Sequence, residues 1–420
     1  MTHDTIVIGA GLAGLTAALR LADAGQRVLV IARGVGSTQL APATIDVLGF
    51  ADEGVESPAQ ALAPFAAANP GHPYAHLSAD LIADSVEWFK ARLPAFGYRG
   101  GLGENFLLPT AVGAAKPSAV VPETMAAGDL RAGGRFVFVG LRGLKDFYPA
   151  YLADNLGRVR LAGPAVSARA IELEPPGGGK ADAGSLGLAR RFEEPAFRDA
   201  VVRELAGRVE PDERVGFPAV LGIRNAGDVW RELETRLERP VFEVATLPPS
   251  VSGIRLFEAM TAALRQAGSR ILLGPAVIGA ETANGRVESV VAEAAARPTA
   301  YRAHSFVLAS GGVAAGGIQV DSYGKIREAV LELALAGLPA ANGRPPFLPT
   351  YLEEQPLDRV GVPVDDRLRP TDADGRTRYE NLHAAGATLA GAVPWREASG
   401  NGLSLATGFA AAGAILESGS

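Results

Sequence analysis

The sequence predicts an α/β fold in which the two ends of the chain build one Rossmann-like unit around an inserted α/β layer. Three observations carry this. A strand, a glycine turn, a helix and a second strand follow one another from Asp4 to Gly34. Strand and helix patterns alternate again from Gly134 to Thr246. The last third then returns to buried strands ending in small residues. The expected organisation is 1–50 for the first part of the binding unit, 51–250 for the inserted cleft-lining and α/β cap region, and 251–420 for its completion.

In the first unit, Asp4–Ile8 is a short apolar strand, and Leu15, Ala18, Leu19 and Ala22 recur at helical spacing up to Gly25. Arg27–Ile31 is the second strand, nearly continuous in apolar residues, as a parallel sheet covered on both faces requires. Residues 50–80 are rich in Ala, Pro and Gly and read as looser chain. Residues 105–130 alternate prolines with apolar pieces and read as extended segments lining a cleft. RFVFVG (135–140), RVGFPAVLG (214–222) and VFEVAT (241–246) are strands, while residues 145–157 and 225–240 are helices. PPGGGKADAGS (175–185) is a flexible loop. Residues 252–268 form a helix with Ser252 as its cap, RILLG follows as a strand, and Asn284-Gly285 turns a hairpin. FVLASGG (306–312) is a buried strand with paired glycines, and the tail from 380 to 415 joins a strand to a small-residue helix.

Composition narrows the function. With 420 residues and 48% hydrophobic content the chain can bury a large core, and no apolar run reaches the ~18 residues of a membrane span. The start of the chain shows no basic flank followed by an apolar signal region, which predicts a cytoplasmic protein. A net charge of −6 without a basic cluster argues against nucleic acid. The absence of cysteine excludes disulfides, a dithiol centre and thiolate-held zinc or iron–sulfur clusters within the chain. The five histidines show no metal-ligand spacing, so no metal site is expected. Redox chemistry here needs an organic cofactor.

Gly9-Ala10-Gly11-Leu12-Ala13-Gly14 is a full G-x-G-x-x-G between strand and helix. Gly9 permits the sharp turn, Gly11 lets backbone approach a pyrophosphate, and Gly14 allows close helix–strand packing. The amides and dipole at the helix start attract the phosphate. The acidic ribose ligand expected about 20 residues later is replaced by Ala32. Neighbouring Arg33 could meet a phosphate or stand in solvent. Gly311-Gly312 mark close backbone approach, and Gly386, Asn401, Gly402 and Leu403 in the tail would present backbone to a ring cofactor. Together these features point to a flavoprotein. Gly140 and Gly143 form only a structural turn, so no second, nicotinamide site is expected.

The order of HPYAHL (72–77), GLRGLKDF (140–147), TLPPSVSGIRL (246–256), FVLASGG (306–312) and GKIREAVLEL (324–333) resembles the B subunit of the anaerobic glycerol-3-phosphate dehydrogenase across essentially the whole chain. TLPPSVSGIRL is the most specific element. The resemblance implies a flavin-binding two-nucleotide fold related to the fumarate reductase and succinate dehydrogenase flavoproteins. It also implies a complex with a larger flavoprotein subunit and an iron–sulfur subunit that anchors both to the inner face of the cell membrane and the quinone pool. The implied reaction oxidises glycerol 3-phosphate to dihydroxyacetone phosphate. FMN is the cofactor implied by the resemblance, whereas the intact turn suits FAD.

A phosphate-bearing polyol needs cations, for which Arg255, Arg396 and Lys116 are candidates. Proton removal suits a histidine, His72 or His383. Thr44 could hydrogen-bond the flavin ring, and Asp46 is expected to cap a helix. Two alternatives stand beside this reading: a stand-alone fumarate-reductase-like flavin enzyme, and a scaffold subunit with a decayed nucleotide site.

Overall fold

Five strands run parallel at the centre of the molecule, and their middles are apolar because both faces are covered. The computed structural model describes residues 3–175, 184–295, 297–339, 347–350 and 352–418. His3–Ile8 lies between Val28–Ala32 and Thr299–Leu308, pairing Val7 with Val30 on one side and with Val307 on the other. Arg270–Leu273 extends the sheet beyond Val28–Ala32, and Leu382–Ala384 pairs in parallel with the end of Thr299–Leu308. The other end of that long strand pairs antiparallel with Arg286–Ala292, which pairs with Val277–Ala283. Asn284 and Gly285 both take positive φ, 49° and 72°, so the predicted tight turn is present.

The first helix, Leu12–Asp23, packs against the last, Gly400–Ser418, so both chain ends meet over the sheet. The helix Val251–Gln266 completes this layer. Its cap is Ser250, whose hydroxyl accepts the Gly253 amide at 3.2 Å, rather than Ser252. Residues 50–92 are more ordered than their composition predicts, with helices at Pro58–Ala68 and Ala79–Arg92. In the second, Ser78 caps the Leu81 amide and Ile82, Val86 and Phe89 form a buried stripe. Leu62, Tyr74, Ile82, Val86 and Phe89 join the same core as the first helix.

A second sheet has its own core. Val241–Val244, Glu213–Pro218, Gly134–Leu141 and Val166–Leu173 are all parallel in that order. The edge strand Val166–Leu173 and the helices Ser185–Phe192 and Pro195–Leu205 are not legible in the pattern, since much of that strand is only half buried. The helix expected over 145–157 begins only at Pro149. Most of the predicted glycine loop, residues 176–183, lies outside the described residues. Residues 105–121 are largely extended as expected, pairing Phe106–Pro109 with Ala115–Ser118, but Glu123–Ala126 is a short helix, and 105–130 line no part of the large cleft described next.

Candidate functional site

The first strand ends at Ile8, and Gly9 turns the chain at φ 114°, where a Cβ would run into the Ala309 carbonyl. Gly9 is therefore required by the fold itself. Gly11 is different. Its φ of −73° and ψ of 175° are open to any residue, and a Cβ there would meet nothing within 4 Å. The chain's own packing gives no reason for a glycine at 11; a ligand lying against the backbone does. Helix hydrogen bonding begins with Leu15 N–H to the Gly11 carbonyl at 2.9 Å, and no side chain caps the preceding amides. The N–H groups of Leu12, Ala13 and Gly14 are thus at the mouth of an uncapped, 12-residue helix whose first residues are otherwise buried.

This turn opens into a cleft of about 990 Å³. Gly9, Ala10, Gly11, Ala32, Arg33, Ser37 and Leu40 line it from the first part of the chain. Ser310, Gly312, Ala387, Leu389 and Pro394 line it from the last part, joined by Gln355 and Asp358. The two chain ends therefore close on one space, as the paired motifs predict. Ala32 presents no side-chain acceptor at the strand end, and its carbonyl takes the Gly274 amide at 2.9 Å. Arg33 is exposed at the cleft edge. The walls at 355–358 carry no sequence signal, because they contribute by position and not by residue type.

Several predicted contacts turn inward. The Gly402 amide donates to the Asp46 carbonyl at 2.9 Å and the Leu403 amide to the Ser399 carbonyl at 2.8 Å, so neither faces a ring. Asn401 Nδ2 donates to the Thr44 carbonyl at 2.7 Å. The Gly311 amide is held by Thr388 Oγ1 at 3.0 Å and that of Gly386 by Thr407 Oγ1 at 2.9 Å. Thr44 is buried and donates to Asp46 Oδ1 at 2.9 Å. Asp46 caps no helix. It is the hub of a buried cluster with Lys116 Nζ at 2.5 Å and Ser118 Oγ at 2.6 Å, which also accounts for Lys116. None of these residues lines the cleft, whose surface comes from others.

Two candidates for chemistry are structural. His383 lies buried in the strand Leu382–Ala384 with both ring nitrogens unpartnered, and burial lowers its pKa to about 4, helped by nearby Arg369. A neutral, enclosed imidazole cannot reach a substrate. Arg255 is locked onto Glu243 through two bonds of 2.7 and 2.9 Å, with Nε donating to the Gly222 carbonyl at 2.8 Å. A guanidinium so engaged has no fork to offer a phosphate.

Arg396 lines a second recess of about 660 Å³, which shares no residue with the cleft but draws on the same segments, 354–359 and 392–397, and His72 is buried behind it against Glu397. His72 Nδ1 accepts the Tyr74 amide at 3.1 Å, which directs Nε2–H to Glu397 Oε2 at 3.2 Å. Glu397 also accepts from the Val393 amide at 2.6 Å and Ser399 Oγ at 2.7 Å. Burial raises its pKa, but these hydrogen bonds outweigh it and hold the carboxyl below its usual range. Glu397, Arg359 and Arg396 line the recess, and both arginines share Glu354. Glu397 is the residue that sequence reasoning missed. Nothing in its local pattern announces the histidine 325 positions away.

Known proteins align with this chain along its whole length. The family described as FAD binding domain matches residues 4–403. The B subunit of the probable anaerobic glycerol-3-phosphate dehydrogenase of Halobacterium salinarum is 34% identical over 428 residues, spanning 99% of this chain and 98% of that one. The chain belongs to the B-subunit family of the anaerobic glycerol-3-phosphate dehydrogenases, within the FAD-binding proteins. The corresponding B subunit of Pectobacterium atrosepticum is 29% identical over the full length of both chains. Among solved structures, the 3-ketosteroid delta1-dehydrogenase of Sterolibacterium denitrificans aligns with 99% of this chain and all of its own at 14% identity and a TM-score of 0.47. As a member of the B-subunit family the chain is a flavoprotein oxidoreductase. Among the described residues no helix is long and apolar enough to cross a membrane.

Proposed function

We propose that this chain is the flavin-carrying B subunit of an anaerobic glycerol-3-phosphate dehydrogenase complex and that its flavin is FAD. The observation that carries this reading is Gly11: ordinary backbone angles, an open Cβ direction and an uncapped helix mouth behind it. The cleft continues from this turn toward Ala32 and Arg33 on one side and toward Ala387–Pro394 on the other. A dinucleotide uses both arms, whereas FMN would leave one unfilled. In this reading the amides of Leu12, Ala13 and Gly14 hold the diphosphate and Arg33 adds positive charge at its edge. The Gly11 and Gly312 backbones lie against the cofactor.

A bound flavin would supply the capacity to accept two electrons from a carbon–hydrogen bond and release them singly. The neighbouring recess supplies the other groups. Arg396, which gives Glu354 a single bond, meets the substrate phosphate, and Glu397, held ionised by His72, takes the hydroxyl proton at a carboxylate oxygen. With no cysteine in the chain, electrons leave to clusters on another polypeptide. The partners in this reading are a large flavoprotein subunit and an iron–sulfur anchor subunit that holds the assembly at the inner membrane face and passes electrons to quinone.

Acid release of the chromophore followed by chromatography tests the cofactor: FAD is expected, and FMN alone overturns the assignment. Turnover of glycerol 3-phosphate with an artificial acceptor tests the role. Activity should require the large subunit. Robust turnover of an unrelated substrate by this chain alone, or a colourless native protein, contradicts it.

A further inference from the structure

The stretch Thr246–Leu256 (TLPPSVSGIRL) lines no part of the cleft, yet it touches both halves of the molecule. We infer that Arg255 and Gly253 are positioning residues that couple the placement of the inserted layer to the shape of the flavin cleft. This rests on the flavin reading above.

On one side, Arg255 grips Glu243 and the Gly222 carbonyl. Glu243 is itself fastened to the inserted layer, accepting the Leu221 amide at 3.0 Å and Thr124 Oγ1 at 2.9 Å. On the other side, two residues earlier in the same helical turn, Gly253 presses on the carbonyls of Thr38 and Ala41, where a Cβ would overlap both oxygens. The Ser250 amide donates to the Gln39 carbonyl at 3.0 Å. These three carbonyls belong to the turn Ser37–Leu40 and the residue after it, and Ser37 and Leu40 are cleft wall. Gly36, just before the turn, lies on the Gly11 backbone: a Cβ on it would come within 2.7 Å of Gly11 Cα and 2.8 Å of its nitrogen.

The path therefore runs from Glu243 through Arg255 to Gly253, then through residues 36–41 to Gly11. Its last contacts are backbone on backbone, which cannot relax by changing a rotamer. A buried ion pair is a weak device for stability, and in some proteins such pairs fix geometry instead. That is the use the surroundings of Arg255 support.

Flavin-stripped chain titrated with FAD tests this. Hydrogen exchange at residues 36–41 and the melting temperature of the flavin-free chain are followed alongside. Gly253→Ala should weaken FAD binding about tenfold, a usual size for coupling between sites, and speed exchange at 36–41. The paired change Arg255→Met with Glu243→Leu keeps the volume and removes both charges. It should stay folded, yet weaken FAD binding about fivefold; Arg255→Lys, which keeps Glu243 paired, should lose less. A merely structural role would move the melting temperature and leave FAD affinity alone. Parental affinity and parental exchange in both folded variants overturn the inference. If the parent chain itself binds no FAD, the flavin reading fails, and exchange at 36–41 still decides the coupling.

Discussion

The two largest cores among the described residues are packed by different means. Around the cleft, the first and last helices and the central strands meet through alanine and glycine: Ala13, Ala17, Ala406 and Ala410 are buried there, and Gly408 sits against the Ala13 backbone. The inserted layer is filled by rings. Phe242 stands edge-on to Phe136 and to Phe138, each at 5.9 Å, while Phe192 meets Phe197 at 5.0 Å and Phe217 at 6.0 Å. Rings fill volume and tolerate little truncation, but they keep backbones apart. Small residues let backbones touch. Where a ligand must be held by main-chain amides, close approach matters more than volume.

The contrast can be broken most forcefully in the inserted layer. Phe242→Ala should cost about 3–5 kcal/mol of stability in denaturant unfolding, since the ring is fully buried between two others. Flavin affinity in the protein that remains folded should change little. A large loss of flavin with unchanged stability would show that the two cores are not divided as described.

Next in size is Gly11→Leu, the reverse case. The backbone there suits leucine and the first side-chain atoms enter open space, so the flavin-free chain should unfold within about 0.5 kcal/mol of the parent. FAD affinity should fall at least about 100-fold, because the side chain occupies the diphosphate position. Stoichiometric flavin in the purified variant would refute the assignment of the cleft.

The smallest effect concerns His383, a polar residue enclosed in the cleft-bearing unit. Its folded pKa of about 4 lies below the ordinary value of 6.5, so the unfolded chain binds the extra proton between these values. Stability from the neutral ring is complete above 6.5 and is lost as pH falls toward 4. From about pH 7 to about pH 5.5 the loss should be about 1 kcal/mol. His383→Leu should flatten that part of the stability–pH curve; an unchanged slope would place the acid sensitivity elsewhere.

What is legible in the sequence is local. The G-x-G turn, the Asn284-Gly285 hairpin and the apolar strands 3–8, 28–32 and 134–141 follow from demands that neighbours a few residues apart impose on one another. The roles that residue type alone suggests for Arg255, His383, Thr44 and Lys116 change once their surroundings are visible. Arg255 is claimed by Glu243, and Lys116 by Asp46 70 positions away. Helix 79–92 has a local signature in Ser78 and the Ile82–Val86–Phe89 spacing, yet it follows a stretch whose Ala, Pro and Gly content suggests looser chain.

The sequence by itself determined that an amide-lined turn stands at the start of the chain, because torsion angles and unpaired first-turn N–H groups are properties of consecutive residues. Only the tertiary structure decided which polar groups face the cleft. Polar groups find partners brought close in three dimensions: Asn401 to Thr44, His72 to Glu397 and Gly402 to Asp46 are separations that no local pattern records.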